Sequence, residues 1–468
     1  MCNFVCPDGR AQNGLTAENT TINATTILLA PFEYYVEHRL AKYGVGSYLG
    51  TTVCSDLYYY KPLQKIFSKV IAYDYVRRIT EIGVKRINEE IIDLVRREHP
   101  RYVIWVSAYY EFRESTFEAI RKDGAVIVGL FFEDDTAFDE YSKWWIPYLD
   151  YCVTNCIEAV PKYRNLGARC ILANPIVGGI PVNVDWSNVE EKRDVSFVGI
   201  KKFDRESYIN ELKKQGLPLH LFGWSGGTLL SVEDMLDVFR TSKINLNFSK
   251  TGQNRMQIKA RIFEVCLAGG FLLTEYAPGI ENYFEPDKEI VCFRDAEEMI
   301  NKINYYLSHE EERRTIAQAG WKRAVNEYSS FHVMSKIFGQ IEKDIAASSE
   351  EDKPYSEELR MPIQIRERFS KYYLKWGVAF LVENRKKNRK LWKDAFDLSL
   401  LYDPVNIRAW YCYLIGFVPS TLRPCLAKLC RTLRPMVGSV PYRRKMKQVF
   451  VKGLYNLMIA LGIVRSYG

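Results

Sequence analysis

The feature that most constrains this chain is an alternation of short apolar, β-rich runs with longer helical patterns, and the alternation begins twice. TILLAP (26–31), YVIWVS (102–107), AVIVGLFF (125–132), DYCVTN (150–155) and RCILAN (169–174) form the first strand series. These runs are almost continuously apolar, as strands of a parallel sheet covered on both faces must be. Helical patterns lie between them, a long one near 74–98 and shorter ones at 114–123 and 157–166. Strands alternating with helices demand right-handed βαβ crossovers and a Rossmann-like sheet. After the turn-rich Pro175-Ile176-Val177-Gly178-Gly179 the pattern restarts with DVSFVGI (194–200), a helix over 205–215, LHLFG (219–223), INLNFS (244–249), FLLTE (271–275) and EIVCF (289–293). Ser231 with Asp234, and Asp295 with Glu298, have the spacing of helix N-cap boxes.

The expected architecture is therefore α/β, two doubly wound Rossmann-like domains facing a cleft, followed by a helical region of different character. The boundaries read from the sequence are a polar arm over 1–24, a first domain over 25–180, a second over 181–350 and a tail over 351–468. Charge separates the last part from the rest. Residues 351–468 hold 23 Lys+Arg against 9 Asp+Glu, a net of +14, which leaves 42 against 48, a net of −6, for residues 1–350. Eleven cysteines, an odd number scattered from Cys2 to Cys430, suit reduced thiols better than a disulfide framework. The opening residues lack a basic stretch followed by an apolar run, so a cytoplasmic location is expected.

In an open α/β sheet, ligands sit beyond the carboxyl ends of the strands, where loops lead into helices. The junction with the most suggestive side chains is SKTGQNRMQIKARIFEVCLAGGFLLTEY, residues 249–276. Lys250, Arg255, Lys259 and Arg261 gather at the start of a helix. Exposed N–H groups, the helix dipole and basic side chains together suit a diphosphate. Glu264 follows Arg261 by three residues, on the same helical face, where a carboxylate can accept hydrogen bonds from two vicinal ribose hydroxyls. The spacing alone equally fits an exposed i,i+3 ion pair worth a few tenths of a kcal/mol. Gly269-Gly270 ends the helix and allows a tight turn into the next strand.

The run Lys-x-Arg-x-Phe-Glu, then Gly-Gly-Phe-Leu-Leu-Thr-Glu-Tyr, then Tyr283-Phe284-Glu285, resembles the C-terminal domain of the CgeB-like (spore-maturation type) GT-B glycosyltransferases. INYYLSHEEERRTIAQAGWKRAVNEYS (303–329), DVSFVGIKKFDR and HLFGW are similar to further parts of that domain. The likeness covers 194–345 closely and reaches 100–175 weakly, through FFEDDTAFDEYS. It implies transfer of a sugar from a nucleotide-diphosphate sugar to a hydroxyl of a glycan or lipid-linked acceptor, in glycan or cell-envelope polysaccharide synthesis. Glu264 would hold the donor ribose, Lys259 and Arg261 the diphosphate, Gly199 the turn facing the donor, and Trp224 the nucleobase. Lys250, Arg255, Gly269 and Gly270 complete the expected donor site. Many retaining relatives carry a second glutamate eight positions before the ribose carboxylate, and here that position is Met256.

In the first domain, Glu133, Asp134 and Asp135 follow an apolar strand and so belong at its carboxyl end. Asp134 or Asp135 is the candidate base for the acceptor hydroxyl, although a helix N-cap with solvated neighbours reads equally well there. No metal site is expected, because Cys2/Cys6 and Cys152/Cys156 lack partner ligands, and no cofactor beyond the sugar nucleotide substrate. A nucleotide-sugar epimerase and a non-catalytic sugar-nucleotide sensor are the alternative functions the same scaffold permits. The tail interleaves basic clusters with Trp376, Trp392, Trp410, Phe417 and Tyr442, which suits an anionic membrane surface and a peripheral place at the inner face; a helical bundle packed on the body suits it as well. No nucleic-acid signature is present.

Overall fold

The computed structural model describes residues 21–32, 55–107, 110–176, 178–200, 205–223, 230–251, 255–347, 359, 361–404 and 406–417. The first unit is a six-stranded parallel sheet of β1 (Ile22–Ala30), β2 (Phe67–Asp74), β3 (Tyr102–Val106), β4 (Val126–Phe131), β5 (Tyr151–Thr154) and β6 (Cys170–Leu172), in the order β2-β1-β3-β4-β5-β6. The second is a five-stranded parallel sheet of β7 (Arg193–Val198), β8 (Leu219–Phe222), β9 (Ser242–Asn247), β10 (Leu272–Glu275) and β11 (Val291–Phe293), in the order β11-β10-β9-β7-β8. Numbered within each unit, both sheets read 2-1-3-4-5, the first with one more strand. The expected pair of doubly wound parallel domains is thus the observed fold. Each sheet has a switch point beside its first strand, between β1 and β3 and between β7 and β9. There, crossovers leave in opposite directions and open a crevice at the carboxyl ends.

Helices cover both faces of both sheets. In the first unit these are α1 (Lys61–Ile66), α2 (Tyr75–Ile82), α3 (Arg86–Glu98), α4 (Glu114–Lys122), the single turn α5 (Asp134–Ala137) and α6 (Ala159–Asn165). In the second they are α7 (Arg205–Lys214), α8 (Val232–Arg240), α9 (Ala260–Leu267), α10 (Ala296–Ser308) and α11 (Glu310–Glu327). Ser231 and Asp295 cap α8 and α10 by accepting from the amides of Asp234 and Glu298.

Four details depart from the sequence reading. β1 begins at Ile22 rather than Thr26, because its early residues pair with β2. β2 was not anticipated at all: FSKVIAYD sits at the sheet edge with only Phe67 and Tyr73 buried, so it lacks the continuous apolar run of an inner strand. The long helix near 74–98 is two helices, broken at Gly83 with φ +89°. The chain also returns to the first unit before residue 350. Helix α12 (Ser330–Ala347) buries Val333, Met334, Ile337, Phe338 and Ile341 against Leu28, Phe67, Tyr102 and Ile104 of the first sheet.

The C-terminal region continues on the opposite face. Helices α13 (Ile363–Asn384), α14 (Arg389–Tyr402) and α15 (Ile407–Phe417) share one core with Trp105, Phe112, Phe117 and Trp145. Trp376 and Trp392, expected among membrane-facing aromatics, are 4% and 0% exposed. Phe369 stacks on Tyr402 at 4.6 Å and lies 4.4 Å from the Tyr110 ring. Most of the apolar content of these helices packs on the first unit, with Val382 and Leu401 left exposed, and the bundle reading holds for them; Tyr442 lies outside the described residues. Among those residues, no helix is long and apolar enough to cross a membrane.

Two passages join the units and run side by side. The backbone N–H of Ser330 donates to the carbonyl of Gly179 at 2.9 Å. A Cβ on Gly178, whose φ is +42°, would come within 2.6 Å of the Ser330 backbone.

Candidate functional site

The site forms where the carboxyl ends of β7, β9 and β10 meet the first unit. β9 ends at Asn247, and the chain then makes a short antiparallel turn. Lys250 bridges to Met256, the Thr251 amide donates to the Arg255 carbonyl at 2.8 Å, and the Gln257 amide donates to the Ser249 carbonyl at 3.0 Å. Glu275, buried at the end of β10, anchors this turn by accepting from the amides of Ser249 and Lys250 at 2.8 and 2.9 Å. Lys259 then starts α9 in extended backbone, and no side chain caps the helix. Its first amides are therefore open to an external acceptor.

Arg261 and Glu264, one turn apart, do pair, at 2.7 Å. Their side chains are only 21% and 13% exposed, so this is not the solvated surface pair that the spacing alone allowed. Arg261 also lies over the Phe239 ring at 5.0 Å. The second oxygen of Glu264 accepts from the hydroxyl of Tyr58 at 3.0 Å, across 206 residues and from the other unit. Tyr58 stands in a single π-turn, Asp56–Tyr60, ahead of α1.

Beside this pair are two cations without counter-ions. Among the described residues, no carboxylate forms an ion pair with Arg205 or Lys259. Arg205 opens α7, donates to the carbonyl of Ile200 at 3.1 Å and leaves its buried Nε unpaired. Burial holds its pKa below the ordinary arginine value, with an upward pull from Glu275 and a downward one from Arg261. Lys259 reaches only Gln257, at 3.3 Å. Burial, together with Arg205, lowers its ammonium pKa to about 8, against a weaker upward pull from Asp135, Glu133 and Glu275. Two cations partly removed from water and repelling one another, with carboxylates near but none in contact, leave room for an anion.

Gly199, just past β7, faces the same crevice. Its amide donates to Phe222 at 3.2 Å, and an added Cβ would meet the Phe197 ring at 2.8 Å. Trp224 lies outside the described residues. Gly269 and Gly270 are not at the site: they close the carboxyl end of α9, opposite the end with the cations. Gly269 has φ +80°, and a Cβ on Gly270 would come within 2.5 Å of the Phe239 carbonyl. They serve the turn and its packing rather than the donor.

From the first unit, Glu133 and Asp135 are the carboxylates that approach the cations, and Arg255 donates to the Asp135 carbonyl. Asp134 points the other way. It is 2% exposed and accepts from Tyr163 at 2.9 Å, and burial raises its pKa. A carboxyl enclosed in the domain cannot reach an acceptor, so of the two candidate bases only Asp135 remains in position. The sequence reading missed Tyr58, Arg205 and Glu275. Arg205 had a usable signal, a cation opening the helix after the unit's first strand. Tyr58 had none, because it comes from the other unit.

Residues 205–339 match the Glycosyl transferase-like family. No curated protein matches this chain. Among solved structures, a glycosyltransferase from Rickettsia africae is similar over 70% of this chain and 100% of its own, at 13% identity and a TM-score of 0.43. The sucrose-phosphate synthase of Thermosynechococcus elongatus is similar over 69% and 100%, at 9% identity and 0.42. HepE of Anabaena, solved in complex with UDP-glucose, is similar over 69% and 100%, at 10% identity and 0.41.

Proposed function

We propose that this chain is a glycosyltransferase that moves a sugar from a nucleotide-diphosphate donor to an acceptor hydroxyl. The observation that carries the reading is the pair Arg205 and Lys259, half-buried beside an uncapped helix start and, among the described residues, in ion-pair contact with no carboxylate. A diphosphate relieves their repulsion and supplies the counter-charge that offsets their desolvation. Bond cleavage at the anomeric carbon places further negative charge on that diphosphate, and Arg205, Lys259 and Arg261 stabilise it where it develops. Side-chain cations then meet the leaving group's charge without a metal. Glu264, fixed by Arg261 and Tyr58, accepts from the ribose hydroxyls. Asp135 or Glu133, on the opposite wall, takes the proton of the acceptor hydroxyl. Within the glycosyltransferases, the Lys-x-Arg-x-Phe-Glu run over 259–264 supports kinship with the CgeB-like group. The basic C-terminal region supports an acceptor presented at the cytoplasmic face of a membrane, in cell-envelope or other glycan synthesis.

A thermal-shift series against nucleotide sugars tests this directly. A donor at 100 times its dissociation constant adds about 2.7 kcal/mol of stability. Transfer to added acceptor glycans, followed by product analysis, completes the test. Stabilisation by no nucleotide sugar and no nucleoside diphosphate refutes the donor site. Binding without turnover leaves a sensor, and sugar interconversion without acceptor leaves an epimerase.

A further inference from the structure

With Trp376 and Trp392 buried, the C-terminal region presents a different surface. Along α13, Lys371, Lys375, Val378 and Val382 recur at helical spacing and fall within an arc of roughly 60° at about 100° per residue. Both lysines are exposed, Val378 is half-buried and Val382 is 57% exposed. The turn beyond the helix and the start of α14 expose Lys386, Lys387, Arg389 and Lys390. Leu391 packs on the first unit, its Cδ2 3.0 Å from where a Cβ on Gly83 would stand. That contact sets exposed Lys85 and Arg86 beside the turn. The carboxylates near this edge include Glu383, which accepts from Asn388, Asp394, which lies among Lys85, Lys390 and Lys393, and Asp397, which pairs with Lys393 at 2.8 Å.

The end of α15 lies at the same edge. Arg385 donates to the Gly416 carbonyl at 2.7 Å, and Arg389 stands over the Phe417 ring at 5.3 Å. Residues 418–468, which follow, contain ten Lys+Arg and no Asp or Glu.

We propose that this edge docks on an anionic lipid bilayer, with Lys85, Arg86, Lys386, Lys387, Arg389 and Lys390 at the headgroup phosphates and Val378 and Val382 at the acyl boundary. It rests on the membrane-facing part of the reading above and is independent of the transfer chemistry. Cations would serve a soluble polyanion equally well, but such a partner leaves Val382 in water. A bilayer interface takes both, binding through apolar insertion plus attraction to anionic headgroups.

Sedimentation of the full chain with phospholipid vesicles tests the proposal. The wild type is expected to bind vesicles containing anionic phospholipid, to ignore purely zwitterionic ones, and to release as salt rises. The combined variant Lys85→Gln, Lys386→Gln, Lys387→Gln and Lys390→Gln should bind anionic vesicles at least tenfold more weakly. Val382→Ser should weaken vesicle binding severalfold and leave binding to heparin, a soluble polyanion, unchanged. Melting temperature and nucleotide-sugar affinity, measured without vesicles, should match wild type in both variants. The proposal fails if the wild type stays off anionic vesicles at low salt, if the combined variant binds like wild type, or if Val382→Ser changes nothing. None of these results would disturb the donor site, which is read separately in solution.

Discussion

The two units carry the same strand order and bring opposite charge to the site where they meet. Beyond its switch point the second sheet gathers Arg205, Lys259 and Arg261, with Glu264 as the one carboxylate among them and Glu275 buried below. The first sheet offers Glu133 and Asp135 beyond β4. One topology thus brings cations to one wall of the site and carboxylates to the other. The units also differ in how they are completed. The second is continuous in sequence, from β7 to α11. The first recruits α12, α13, α14 and α15 from beyond the second, and its two cores cannot close without them.

That asymmetry gives the largest expected effect. Trp392 is fully buried, donates to the Arg385 carbonyl at 2.9 Å and belongs to the first unit's core. Trp392→Ala should cost about 3–5 kcal/mol, and the loss should fall on the first unit. Calorimetry should show one transition moving down while titration still finds nucleotide binding in the second unit. A small shift would mean that the C-terminal helices are an accessory and that the contrast in completeness is false.

The next effect tests the acidic wall. Asp135→Asn should lower turnover at saturating donor by about 10² or more, the usual scale of general-base loss, with donor affinity kept. Asp134→Asn should leave turnover unchanged, because that carboxyl faces Tyr163 rather than the cleft. Full turnover in Asp135→Asn moves the base to Glu133 or to the substrate itself.

For the cationic wall, Arg205→Gln and Lys259→Gln should each cost about 2–3 kcal/mol, roughly 30- to 150-fold, in nucleoside diphosphate affinity. The free nucleoside should bind almost as before. Calorimetric titration of both ligands decides it, since equal losses would indicate a disturbed fold rather than missing phosphate contacts.

The smallest effect follows from Lys259, whose pKa lies at about 8 rather than near the ordinary lysine value because it is buried. Its protonated form binds the anion, so affinity is full below this pKa and falls as pH rises through it. Between pH 7 and 9 the protonated fraction in the free protein drops about tenfold, and nucleoside diphosphate affinity should follow. Lys259→Arg should flatten the profile, since guanidinium stays charged throughout. A wild-type profile already flat over that range would remove Lys259 from the phosphate site.

Much of the fold was legible because inner parallel strands are written as unbroken apolar runs, as in YVIWV and VIVGLF. β2 was not, because an edge strand half in solvent reads FSKVIAYD, with polar residues where the others have none. The site was legible where it is local: Lys259, Arg261 and Glu264 lie within six residues on one helix start. Tyr58 was invisible, since its partner is 206 residues away. Asp134 and Asp135 were indistinguishable in sequence, because adjacent residues in a helical turn point in different directions and only the packing of Tyr163 shows which one turns inward. The aromatic residues of the C-terminal helices left two readings open for a related reason. Residues of that kind suit a bilayer or a protein core, and composition does not say which.

The two passages joined at Gly179 and Ser330 make the second unit an insertion within the first. On the ribosome this sets an order of events. The second unit is complete in the nascent chain by about residue 328 and can fold at once. The first unit's sheet, synthesised earlier, must wait for α12 through α15. At about 5–20 residues per second, the interval from the end of β6 to the end of α15 lasts roughly 10–50 seconds. Through that time TILLA, YVIWV and VIVGLF stand partly uncovered, so the half of the protein made first is the half most in need of a chaperone.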